Sequence, residues 1–153
     1  MNNELIIFLT AMAPVGEMRA AIPLGLGIYK LPPWEAYFWA VSGNIVSAAL
    51  VVYIIAPAAK FLMAHSELLN RFLSCIFERT RKKHNGTYEK WGDLALVIFV
   101  AIPLPMTGAW TAAIVAFLFG IPFWRALFLI SIGVAIGGLL VLGVSTGVLK
   151  LFF

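Results

Sequence analysis

Pro14-Val15-Gly16-Glu17-Met18-Arg19-Ala20-Ala21-Ile22-Pro23 is the stretch on which the fold of this 153-residue chain turns. It interrupts an apolar run over residues 5–29 that is long enough to cross a bilayer, which needs about 20 residues. Proline removes a backbone donor and clashes with the preceding turn, so the helix is expected to break at Pro14–Gly16 and again at Pro23. A broken backbone at membrane depth is tolerated only when it is buried in protein or lines a cavity. Each piece beside the break measures about half of a ~30 Å hydrocarbon core. Two half-length helices around a Pro/Gly tip describe a re-entrant hairpin. The alternative is one kinked transmembrane helix.

Outward from that stretch, three more apolar runs cover residues 34–64, 94–119 and 123–153. With 62% hydrophobic and 12% charged residues, the composition excludes both a water-soluble domain and a disordered chain. The third run carries its own break, Pro103-Leu104-Pro105-Met106-Thr107-Gly108-Ala109-Trp110. The second and fourth read as full spans. The segment Leu31-Pro32-Pro33-Trp34-Glu35-Ala36-Tyr37-Phe38 parallels Ile121-Pro122-Phe123-Trp124-Arg125-Ala126-Leu127-Phe128, and Gly43 then aligns with Gly133. The expected fold is therefore an all-α integral membrane protein of two inverted repeats, each a re-entrant helical hairpin followed by a transmembrane helix. It forms a single membrane domain over 1–153, with repeat one at about 4–64, a central segment at about 65–92 and repeat two at about 93–153.

The net charge of +4 is unevenly placed. Lys60, Arg71, Arg79, Arg81, Lys82, Lys83, Lys90 and Arg125 fall on the central face, with Lys30 and Lys150 on the other. This asymmetry reads as a topology signal rather than nucleic-acid binding, and it puts the central segment in the cytoplasm of a cell (inner or plasma) membrane. Re-entrant hairpins would leave both termini outside, whereas four full spans would bring them to the cytoplasm. The first residues carry Glu4 and no base before Arg19, unlike a signal peptide. The central segment begins as an amphipathic helix on the 3–4 spacing of Leu69, Phe72, Leu73 and Ile76, suited to the membrane interface. Its basic cluster fits anionic lipid headgroups. Cys75 reads as a small packed hydrophobe, His65 and His84 as solvated surface residues, and no metal or cofactor site is expected.

Within the apolar runs, Glu17 and Arg19 are the informative pair, because an ionisable residue in a membrane segment is expensive. They read either as a structural ion pair or as a proton-binding carboxylate beside a fixed positive charge. At the second break, Thr107, Trp110 and the start of the following half-helix suit an anion or phosphate. Pro14, Gly16, Pro103, Pro105 and Gly108 form the hairpin tips. Asp93 is expected at a helix N-cap or first turn, Asn44 in an interhelical hydrogen bond, and Trp34, Trp91 and Trp124 at the interfaces. Gly43/Ser47, Gly133/Gly137 and Gly143/Gly147 are small-residue contacts within the chain or, in a homo-oligomer, between copies.

The two breaks, Pro14-Val15-Gly16-Glu17-Met18-Arg19-Ala20-Ala21-Ile22-Pro23-Leu24-Gly25 and Pro103-Leu104-Pro105-Met106-Thr107-Gly108-Ala109-Trp110-Thr111, resemble the small multidrug export protein family, which is placed near the DedA (VTT-domain) membrane proteins. The resemblance covers nearly the whole chain and implies two inverted re-entrant hairpins. The family name implies export of small molecules. The DedA relation implies recycling of undecaprenyl phosphate and proton dependence, with an acid in the first hairpin, matched by Glu17, and arginines in the second. This chain has none at its second break, leaving Arg19 to supply the charge. The expected function is a secondary transporter or lipid-phosphate flippase, proton-coupled, with membrane lipids and protons as partners. A non-transporting scaffold or assembly subunit is the alternative. A lipid-modifying enzyme lacks support, because there is no HExxH or GxSxG and the membrane serines have no base partner.

Overall fold

The computed structural model of the chain describes residues 2–82, 86–102 and 108–152. Among them are seven helices and no strands: α1 (Asn3–Met12), α2 (Glu17–Gly27), α3 (Pro33–His65), α4 (Glu67–Lys82), α5 (Gly86–Ala101), α6 (Ala109–Leu118) and α7 (Phe123–Phe152). Two are long and apolar enough to cross a membrane, Pro33–His65 with mean hydropathy 2.1 and Phe123–Val148 with 2.6. Helices α1 and α6 are short and apolar, with 10 residues each. That is about 15 Å of helix at 1.5 Å per residue.

The order is therefore two short helices then a long one, α4, and the same again. The likeness reaches individual positions. In α3 the buried stripe is Ala36, Ala40, Gly43, Asn44, Ser47 and Ala48, and in α7 it is Ala126, Ile130, Gly133, Val134, Gly137 and Gly138, each 90 residues later. In α2 Glu17, Met18, Ala21, Ile22 and Gly25 are buried, matched 91 residues on by Gly108, Ala109, Ala112, Ala113 and Ala116. A β-carbon on Gly43 would strike the Phe8 carbonyl oxygen, and one on Gly133 would crowd Val97 O and Val100. Each long helix thus uses a glycine to let the backbone of its own half's first short helix come close.

The ends of α2 and α6 are built alike. Lys30 and Gly120 adopt left-handed φ values of 50° and 69°. The next residues close the helices, with Leu31 N–H donating to Gly25 O and Ile121 N–H to Ala116 O, both at 2.9 Å. Pro32 and Pro122 then accept the first bonds of α3 and α7. Proline suits this position because a first-turn N–H has no partner in the helix anyway.

The interior is a shared apolar cluster in which Ile7, Met18, Ile22, Val100, Ile130 and Val134 are the largest fully buried hydrophobic side chains. Helix α3 packs on α1, α2, α6 and α7, and α7 packs on α2, α5 and α6 as well. Outside it, Phe38, Tyr53, Ile54, Phe61, Phe128 and Val144 are exposed around both long helices. Trp34, Trp91 and Trp124 also point outward, at 71%, 67% and 79% exposed.

Several expectations are corrected. Pro23 does not break the chain but sits inside α2, seven residues into the helix, where the missing N–H costs only one bond. Asp93 is neither a cap nor a first-turn acid, because α5 already starts at Gly86. It accepts the Arg125 Nε–H at 2.9 Å and ties α5 to α7. That early start also moves the polar stretch 86–92 out of the central segment and into the second helix pair. Cys75 is exposed on α4 rather than packed, because the buried side of that helix is taken by Leu73. His65 is exposed, as expected, with its Nδ1–H donating to Phe61 O at 2.9 Å, and His84 lies outside the described residues. Of the small-residue pairs, Gly133 and Gly137 are filled from within the chain, by α5 and by the Met18 methyl, while Gly143 and Gly147 face open space.

Candidate functional site

Helix α1 ends at Met12, and Ala13 turns extended, its N–H closing on Thr10 O at 3.2 Å. Pro14 and Val15 form the exposed tip, and Gly16 leads into α2. Glu17, the first residue of α2, has a left-handed φ of 48°. For a residue with a β-carbon that conformation is costly, of the order of 1–3 kcal/mol, and persists only where the surroundings fix it. It lays the Glu17 side chain, 6% exposed, inward across the bundle.

The carboxylate comes to rest on Gly108. A β-carbon at Gly108 would overlap both carboxylate oxygens, so the seat exists only because the residue is glycine. There the backbone N–H groups of Ala109 and Trp110, at the start of α6, donate to it, and Arg19 acts on it as the neighbouring opposite charge. The first N–H groups of a helix have no intrahelical partner and carry the positive end of its dipole, so an anion belongs there. Glu17 is thus a cap for α6 supplied from the other half of the chain. Glu17 and Gly108 are equivalent positions in the two halves, 91 residues apart, and they meet.

This arrangement brings together Glu17, Arg19, Gly108 and Trp110 among the residues singled out by sequence. Pro14 and Gly16 shape the first tip. Pro103, Pro105 and Thr107 lie outside the described residues. The start of α6, read from sequence as open to an anionic ligand, already holds the chain's own carboxylate. Asn44 makes no interhelical hydrogen bond. Both its amide atoms are buried without a partner, as are Ser47 Oγ and Trp110 Nε1. Ser47, four residues from Gly43 in an apolar helix, reads from sequence as a packing residue, yet its hydroxyl is buried without a partner. The readable signal was polar Asn44 and Ser47 three apart, on one face. Among the described residues no three His, Cys, Asp or Glu side chains gather as metal ligands. An open groove of about 780 Å³ along α4, lined by Glu67, Arg71 and Ser74 among others, is on a different part of the molecule.

The buried acid at the meeting of the two helix pairs is included in a family match. Residues 17–140 match the family described as "Putative small multi-drug export protein". The chain belongs to that family. The match begins at Glu17 and takes in both buried stripes and the start of α6. No curated protein and no solved structure matches the sequence. Membership in the small multidrug export family, with the two long apolar helices, indicates a membrane location and is consistent with transport in general.

Proposed function

We propose that this small multidrug export protein is a multi-pass secondary transporter of the cell membrane, coupled to protons through Glu17. One observation carries the reading. A carboxylate is buried in the apolar interior where the two halves meet, held by the first N–H groups of α6 and by Arg19. An acid so placed is expensive to keep and is retained for function. Protonation removes the charge that ties α2 to α6, so the contact between the halves depends on whether a proton is bound.

The remaining architecture follows in the same reading. The helix pairs α1–α2 and α5–α6 are re-entrant hairpins, α3 and α7 are the spans, and the repeats are inverted about an axis near Glu17 and Gly108. The 90-residue recurrence of buried positions and the short lengths of α1, α2 and α6 support this. The 1–153 unit is one membrane domain, its central segment with α4 is cytoplasmic, and its outer surface meets lipid. A second copy would find the open Gly143–Gly147 face. The chain acts without catalysis, cofactor or nucleic acid. Its substrates are small amphipathic molecules. A lipid phosphate of the DedA type would have to displace Glu17 from α6 before an anion could use that helix end.

The test is proton flux in proteoliposomes with an imposed pH gradient, read by a pH dye on adding an amphipathic substrate. The native chain is expected to give substrate-stimulated flux, and Glu17→Gln none, with the variant still folded. Undiminished flux through Glu17→Gln would end the mechanism. Topology has its own check in the exposed Cys75. A membrane-impermeant maleimide should label it only after the cells are permeabilised, while a reporter fused after Phe153 reports from outside.

A further inference from the structure

We infer that Asn44 and Ser47 of α3, with the Trp110 indole N–H of α6, form a ligand subsite for an uncharged hydrogen-bonding group, an amide or hydroxyl, of an amphipathic compound. This rests on the transporter reading and extends it to what is bound. Asn44 is 0% exposed and Ser47 2%, and neither side chain has a hydrogen-bond partner. The indole nitrogen of Trp110 is likewise buried and unpartnered. Each such group left unsatisfied is costly, and more so away from water. Three of them in one small bundle call for a common partner.

Their common depth follows from one contact. A β-carbon on Gly25 would stand 3.0 Å from that of Ala36, which fixes α2 against α3. Helix α2 runs toward the turn at 28–32, and α3 runs away from it. Eight residues back from Gly25 is Glu17, and eight forward from Ala36 is Asn44, each about 12 Å along its helix. Asn44 therefore lies level with Glu17 and with the start of α6, which Glu17 caps. Ser47 is on the same buried stripe, one turn on, and α3 packs against α6.

The chemistry of the ligand follows from what is already satisfied. The α6 N–H groups are taken by Glu17, and the Glu17 charge is opposed by Arg19. What remains is neutral: donors at Asn44 Nδ2 and Trp110 Nε1, an acceptor at Asn44 Oδ1, and both at Ser47 Oγ. A group that donates and accepts without bringing a net charge fits this set. The equivalent positions of α7 are Val134 and Gly137, and the Met18 methyl would meet a β-carbon at Gly137 at 2.8 Å. The subsite therefore belongs to the α3 side alone.

The experiment is equilibrium binding of radiolabelled chloramphenicol, an uncharged amide with two hydroxyls, to the full chain in nanodiscs without a proton gradient. Benzoate and tetraphenylphosphonium serve as anionic and cationic competitors. Saturable binding that neither competitor displaces is expected. Asn44→Leu should weaken it about tenfold or more, the equivalent of one hydrogen bond to a buried partner. Ser47→Ala should weaken it less. In the absence of ligand, Asn44→Leu should raise the melting temperature by about 2–4 °C, because a near-isosteric apolar group removes an unsatisfied one. No saturable chloramphenicol binding, displacement by either ion, unchanged affinity in both variants, or a lowered melting temperature in both would each overturn the assignment. Because binding is read at equilibrium, a failure here is distinct from a failure of proton flux through Glu17.

Discussion

Position for position, the first helix pair brings Glu17, Met18 and Arg19 to its α2 start, and the second brings Gly108, Ala109 and Trp110 to its α6 start. The backbones are used alike, with matching buried stripes and matching helix ends. The chemistry is complementary instead of repeated. One half supplies an acid and its counter-charge, and the other supplies a bare glycine, two N–H groups and an indole. Two acids at both starts would repel and two glycines would leave both helix ends uncapped. The likeness sets the scaffold, and the departure from likeness at these matched positions lets the Glu17 carboxylate cap α6.

The most forceful way to break this comparison is to spoil the glycine seat. Gly108→Ala places a methyl group on the Glu17 carboxylate and should evict it from α6. Substrate-stimulated proton flux should fall at least about tenfold, since the lost ion–N–H contacts are worth 1.5–3 kcal/mol each. Full flux in that variant would show that the meeting of Glu17 and Gly108 is incidental. Next come the close approaches that the halves share. Gly43→Ala and Gly133→Ala each force a β-carbon against carbonyl oxygens of α1 or α5, and each should cost about 1–3 kcal/mol in a thermal melt in detergent. Very unequal losses would mean that the halves are not packed alike.

The third comparison concerns a link found in one half. Asp93 and Arg125 pair between α5 and α7, and the positions that match them in the first half are Glu4 and Glu35, both acids. The pair is partly exposed, so a double-mutant cycle on Asp93→Asn and Arg125→Leu should return a coupling below about 1 kcal/mol that shrinks with added salt. The smallest effect is expected at the turn before α3. Lys30 holds a left-handed φ of 50° where the second half has Gly120. Lys30→Gly should therefore leave stability unchanged or raise it by up to about 1 kcal/mol, measured as a small rise in melting temperature. A clear loss would mean that the Lys30 side chain contributes more than its backbone conformation costs.

Much of the fold was legible because it rests on local rules. The long apolar runs, the Pro-Pro and Ile-Pro starts of α3 and α7, and the spacing of Leu69, Phe72 and Leu73 on α4 depend on hydropathy and on proline geometry. Pro23 misled because the packing of α2 against its neighbours outweighs the one backbone bond that a proline inside the helix removes. Asp93 misled because polar residues 86–92 do not announce a helix, and its partner is 32 residues away. Of the site, Glu17 and Arg19 stood out as charges in an apolar run. Asn44 read as an interhelical hydrogen bond and Ser47 as a packing residue, since whether a polar group in a helix finds a partner is decided by the neighbouring helices.

By itself, then, the sequence determined an all-helical chain with four long apolar runs, a doubled pattern and an acid out of place. These are consequences of composition, period and backbone sterics, which each segment carries on its own. Only the tertiary structure decided that the Glu17 carboxylate lies on Gly108 and caps α6, and that Asn44, Ser47 and the Trp110 indole nitrogen are buried without hydrogen-bond partners. Those facts depend on the register and approach of helices distant in sequence, which close packing sets and no single segment contains.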